Sequence, residues 1–134
     1  MKKTIDIRDE RLGTLSGRDS IYLDALSQDE FGNITFKGEI NSSLAENSQN
    51  KKWIPYTLKF RGVTIYYACD TDTYYDMENP KKESSFCIIE KSKWLARLPI
   101  SNAENKAISK HYRLYTYDFV YNIIAEEYTF ELDM

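Results

Sequence analysis

The chain has one histidine, His111, and two cysteines, Cys69 and Cys87, in 134 residues. So few ligand-type side chains exclude the clustered His and Cys sets that hold structural zinc. Its five glycines are scattered, and none falls in the spacing that cradles a phosphate. No apolar run approaches the ~20 residues that a membrane-spanning helix requires. Basic residues are in short supply too: 18 Lys and Arg stand against 21 Asp and Glu, a net charge of −3. That balance argues against nucleic acid, whose backbone is bound by clustered cations. The opening MKKTIDIRDE places no apolar stretch behind its lysines, so no secretory signal is expected and the cytoplasm is the expected location. There, Cys69 and Cys87 are expected as buried reduced thiols; a cross-strand disulfide would need an oxidising compartment.

What the chain does have is aromatic side chains, 14% of its residues, eleven of them Tyr. Such rings favour strands and recognition surfaces. The richest stretch is the closing one, His111 to Leu132, and it reads as the segment the rest must cover. From Ile124 onward, Ile124, Tyr128, Phe130 and Leu132 share one parity, the period of a half-buried strand. Residues 119 to 125 are apolar on both parities and suit a strand buried on both faces, or one helical turn after Asp118.

Upstream, Thr4 to Arg8 alternates weakly and reads as an edge strand. Residues 20 to 40 read as a β-hairpin, with Ile34, Phe36 and Ile40 on one face of its second strand. Residues 41 to 52, NSSLAENSQNKK, offer little to bury and read as a solvated, mobile loop. In Trp53 to Cys69, Tyr56, Leu58 and Phe60 give way after Gly62 to Val63, Ile65, Tyr67 and Cys69. That parity switch predicts a second hairpin turning at Arg61-Gly62, with a bulge at Gly62 in one longer strand as the alternative. Residues 70 to 84 read as an acidic, Tyr-bearing loop with Pro80 barring a helix across it. Phe86 to Ile89 is another strand. Ser92 is a candidate N-cap for a brief helix ended by Pro99, and Ser101 with Glu104 has capping-box spacing. The expected fold is a single, mainly β domain, an antiparallel two-sheet sandwich with one or two short helical turns.

Few residues carry a chemical motif. Asp70-Thr-Asp72-Thr-Tyr74 after an apolar strand is similar to the opening of haloacid-dehalogenase-type phosphotransferases, yet its fifth residue is Tyr74 and no alternating helices and strands follow. As an EF-hand the same stretch fails, because Tyr75 and Lys81 stand where Gly and a bidentate Glu are required; an irregular, weak cation site from Asp70, Asp72 and Asp76 is what remains. His111 with either cysteine is the one conceivable nucleophile–base arrangement. A lone His opening an aromatic strand more often packs or hydrogen-bonds, so neither catalysis nor a cofactor is expected. Tyr66, Tyr74, Tyr75 and Trp53 are candidate recognition residues, since exposed rings beside carboxylates are typical of interfaces.

The succession of strand, SSF, WL and KHYRLYTYDFVYNIIAEEYTFEL resembles small uncharacterised proteins of Gram-positive bacteria, some of them in toxin–immunity settings. The resemblance covers mainly Ser84 to Leu132 and implies a single-domain β protein acting by stoichiometric binding. The expectation is a non-enzymatic binding protein that masks a basic partner protein such as a toxin. Its expected contact residues are Asp70, Asp72, Tyr74, Tyr75 and Asp76, in the one strongly acidic stretch. The alternatives are a small-ligand or carbohydrate-binding β-sandwich and an enzyme of unrecognised type.

Overall fold

The computed structural model describes residues 3–78 and 84–134. Nine strands and three short helices follow one another along the described chain. The strands are β1 (Lys3–Asp6), β2 (Ile21–Gln28), β3 (Ile34–Asn41), β4 (Trp53–Arg61), β5 (Ile65–Asp70), β6 (Phe86–Glu90), β7 (Lys110–Tyr115), β8 (Phe119–Ala125) and β9 (Glu127–Leu132). The helices are α1 (Thr71–Glu78), α2 (Lys93–Arg97) and α3 (Ala103–Ile108). The strands form two antiparallel sheets, β1-β6-β7-β8-β5 and β2-β3-β4-β9, stacked as a sandwich.

The first hairpin forms as the alternation requires. β2 pairs with β3, and Ile34, Phe36 and Ile40 point into the core while Lys37 and Glu39 stay in water. β2 bulges between Leu23 and Ala25, and there its backbone presses on Gly38. A Cβ at Gly38 would overlap the Tyr22 carbonyl, so the residue opposite the bulge must be glycine. β1 is an edge strand, as expected, and β6 and the Ser92 cap of α2 also form, with Leu95 N–H donating to Ser92 Oγ at 3.1 Å.

The second hairpin does not form. β4 and β5 lie in different sheets, paired with β9 and β8 respectively. The chain bends at Gly62, at φ +63°, and continues forward instead of reversing, closer to a bend within one longer strand. β8 and β9 bend beside it. Glu126 N–H donates to the Arg61 carbonyl at 3.0 Å, and Thr64 N–H donates to the Ile124 carbonyl at 2.9 Å. One two-stranded ribbon therefore runs through both sheets, and the closing segment is three strands, β7, β8 and β9.

The switch of apolar parity has a different cause from a turn. Even-numbered Tyr56, Leu58, Phe60 and then Tyr66 face the space between the sheets on both sides of the bend. The odd-numbered Ile65, Tyr67 and Cys69 lie on the far face of the five-stranded sheet, where Cys69 meets a second cluster of Tyr74, Tyr115 and Val120. β8 is buried on both faces from Val120 to Ala125, as its unbroken apolar run predicts.

Three smaller expectations also change. Residues 71 to 78 are helical, not a loop; Asp70 Oδ1 accepts from Thr73 N–H at 3.0 Å and opens the helix, while Pro80 lies outside the described residues. Asn102, not Ser101, caps α3, its side chain accepting from Glu104 and Asn105 N–H. The 41–52 segment buries Ser42 and Ala45, and Ala45 bridges to Leu15. Cys87 is buried as expected and Cys69 only partly so, and they are not bridged: they sit on β6 and β5, which β7 and β8 separate in the sheet, too far for a disulfide. The core between the sheets is aromatic, with Phe36 meeting Phe60 and Tyr121 edge to face and Phe60 meeting Phe86 and Tyr112.

This topology separates two substitutions that a hairpin would make equivalent. Leu58→Ala removes a fully buried side chain and should cost about 2–5 kcal/mol in urea denaturation. Ile65→Ala, at a position 40% exposed, should cost less than about 1.5 kcal/mol. Equal losses would restore the hairpin.

Burial also fixes the alkaline limit of the fold. It is the main cause that pushes the Tyr112 phenol from its ordinary 10.0 up to about 12, and it raises Tyr56 as well. Above pH 10 the unfolded chain loses these protons while the folded chain keeps them, so stability falls between pH 10 and about 12. Urea midpoints measured across that window should decline less steeply in Tyr112→Phe than in the parent.

Candidate functional site: an aromatic surface between the layers

β2 starts with Ile21 turned inward, which by the period of two turns Tyr22 outward. β4 starts at Trp53, whose partner is Asn41 on the same outer face. A third ring comes from the β7–β8 turn. Thr116 fastens that turn, its Oγ1 accepting from Phe119 N–H at 3.1 Å and donating to the Phe119 carbonyl at 2.6 Å. Tyr117 N–H donates to the Ile21 carbonyl at 2.9 Å, which docks the turn of one sheet onto the first strand of the other.

The three rings form one surface. Tyr22 stacks on Tyr117 with centroids 5.2 Å apart and meets Trp53 edge-on at 5.4 Å. Trp53 is 38% exposed and Tyr117 39%. Cations flank both ends. The Arg18 guanidinium lies 4.9 Å from the Tyr117 centroid and the Lys52 ammonium 5.2 Å from that of Trp53. Arg18 Nε donates to the Tyr117 carbonyl at 3.0 Å, and its Nη1 donates to Asp72 of α1. The bond from Asp72 is the first cause that holds Arg18 still more firmly protonated, with Asp70 adding to it. Partial burial, then the Asp19 carboxylate, raise the Tyr22 phenol, and Asp118 adds to them. Asp19, Asp70, Asp72 and Asp118 therefore border the Arg18 and Tyr22 side of this surface, with Asp72 paired to Arg18.

The expected contact residues divide. Asp70 and Asp72 are exposed and belong to this surface through Arg18. Tyr75 is 42% exposed and rests against Tyr115. Tyr74 points the other way. It is 1% exposed, edge-on to Tyr115 and under the Arg113 guanidinium, so its ring anchors the helix. The Asp76 side chain lies outside the described residues. Tyr66 packs against the core between the sheets, while Trp53 is at the surface as anticipated. Sequence reasoning missed Arg18, Tyr22 and Tyr117. The outward parity of Tyr22 was legible, but Arg18 and Tyr117 are 99 residues apart and no local pattern joins them.

His111 lies between two polar side chains. Ser92 Oγ lies 2.8 Å from its Nδ1 and Asn122 Oδ1 2.7 Å from its Nε2. Arg113 Nε also donates to Asn122 Oδ1, at 3.1 Å, which fixes that atom as the oxygen. Nε2 must then carry a proton and donate to Asn122, while Nδ1 shares a hydrogen bond with the Ser92 hydroxyl. The connectivity is that of nucleophile, base and orienter. Its members also have packing roles: Ser92 Oγ caps α2, Trp94 of α2 packs edge-on against the His111 ring, and Asn122 is fully buried. The set ties α2 to the sheet through a polar link that runs from part-buried Ser92 to fully buried Asn122.

Among the described residues, no group of His, Cys, Asp and Glu is arranged to hold a metal, and no helix is long and apolar enough to cross a membrane. No protein-family model, curated protein or solved structure matches the chain.

Asn122→Ala tests the link, because it removes an acceptor shared by two buried donors. The expected cost is about 2–4 kcal/mol in urea denaturation, more than the deleted atoms alone account for. A loss below about 1 kcal/mol would mean that His111 and Arg113 are satisfied without it.

Proposed function

We propose that the protein is a non-enzymatic binding protein that covers a basic partner protein, a toxin in the setting that the resemblance implies. One observation carries the reading: three partly exposed rings, Tyr22, Trp53 and Tyr117, lie in contact on a backbone held by both sheets, inside a border of carboxylates. Tyr and Trp supply contact area at small entropic cost. The carboxylates Asp19, Asp70, Asp72 and Asp118 supply attraction toward a positive surface and speed encounter with it. α1, joined to this surface through Asp72, also exposes Tyr75 and Met77, the latter 68% exposed.

The rings and the charges predict different kinetic signatures. With a basic protein encoded beside this one as the titrant in calorimetry, 1:1 binding is expected. Trp53→Ala with Tyr117→Ala should weaken it by about 2–4 kcal/mol, chiefly through faster dissociation. Asp72→Lys with Asp118→Lys should slow association and flatten its salt dependence. A partner that binds both double variants as it binds the parent places the interface elsewhere.

A further inference from the structure

Beyond protein binding, we infer that the groove between β6 and the two helices α2 and α3 is a binding site for an anionic amphiphile, a carboxylate on an unbranched apolar chain. The groove is about 630 Å³ and lies across the molecule's other working face, beside the edge strand β1. That is within the few-hundred-to-1,000 Å³ range of small-molecule sites. Its apolar lining comes from Ile5, Ile88, Ile89, Leu95 and Ala96. Ile5 is 45% exposed there, an apolar side chain that the described fold leaves uncovered.

The charge of the lining selects the headgroup. Lys91, Lys106 and Lys110 line the groove against one carboxylate, Glu90, which makes the lining net positive by two. That is the reverse of the whole chain, at −3. It is also the reverse of the 550 Å³ depression near the β2 bulge, where Asp24, Glu39, Glu131 and Asp133 face Lys37 alone. Lys106 is held in place, its Nζ donating to the Ala96 and Leu98 carbonyls at 2.9 and 3.1 Å. Lys91 and Lys110 are exposed and free to swing onto a headgroup. Two polar walls, Ser92 and His111, are already bonded to each other, so the ammonium groups supply the attraction. A cation or a sugar finds too few acceptors here, and a purely apolar ligand leaves the lysines unused.

Decanoate is the probe, followed by backbone and Trp94 indole amide shifts in the intact protein. Saturable shifts confined to residues 88–96 and 106–111 are expected. Lys91→Glu with Lys110→Glu should weaken the binding about tenfold at low salt and less at high salt. Ala96→Trp, which fills the groove from an exposed position, should abolish it while leaving the remaining spectrum in place. Decyltrimethylammonium should not bind there. The inference is overturned if decanoate shifts do not saturate, if the cationic detergent produces the same shifts, or if Ala96→Trp binds as the parent does. Because the aromatic surface between the layers is separate, its own variants should leave decanoate binding unchanged; if Trp53→Ala with Tyr117→Ala removes it, the probe sits on that surface and the groove is not the site.

Discussion

The structure depends on keeping β8 dry on both faces. One face, Tyr121, Ile123 and Ala125, is closed by the opposite sheet, and nothing more is needed there. The other face, Val120, Asn122 and Ile124, has no second sheet to meet, yet all three residues are fully buried. The cover has to come from short helices, which are marginal on their own. α1 is anchored through Tyr74 on Tyr115, and α2 through Trp94 on Tyr67 and His111. Asn122 is buried in this layer beside His111 and Arg113, and its one oxygen takes a donor from each. Asn122 Nδ2 has no hydrogen-bond partner among the described residues, so the link is carried by the two bonds at its oxygen. The helices sit where they do because β8 demands it.

The sheet pattern was legible in the sequence wherever one strand face is wet. β3 alternates cleanly, since Lys37 and Glu39 meet water, and its hairpin with β2 could be read without a structure. The doubly buried β8 was legible as well, from its unbroken apolar run. The ribbon bend was not. A change of apolar parity after Gly62 has two physical sources, a reversal of the chain or a second apolar layer on the far side, and the residues of β4 and β5 alone are the same in either case. What separates them is the cover supplied by Tyr74, Trp94 and Tyr115, all distant in sequence. The same long-range ordering hid α1: its composition is acidic and its apolar residues are few, but Tyr74 is held by Tyr115 and the Arg113 guanidinium.

The candidate surface was legible in kind more than in place. Asp70 and Asp72 were identified from charge alone, and they do border the exposed rings through Arg18. Tyr74 was grouped with them because adjacent residues in a loop share an environment. In a helix they do not: residues 74 and 75 point about 100° apart, which sends one ring into the sheet and the other toward water. The rings that complete the surface come from β2 and from the β7–β8 turn, and only the docking of Tyr117 on Ile21 brings them together.

That docking has a mechanical consequence. Recognition surfaces built on loops lose part of their binding energy in ordering the backbone. Here Tyr22 and Trp53 sit on paired strands, and Tyr117 sits on a turn tied at both ends by Thr116 and at its centre by Ile21. The rings also hold one another, through the Tyr22–Tyr117 stack and the edge contact with Trp53. Little backbone entropy is left to lose there. The two cations are restrained more loosely, on exposed side chains, and can rearrange toward a partner's own charges. A fixed aromatic centre with adjustable charge around it matches the division between hot spot and rim found in protein interfaces. The ribbon that crosses between the sheets at Gly62 reinforces this, because it ties β4, which carries Trp53, to the sheet that carries Tyr117.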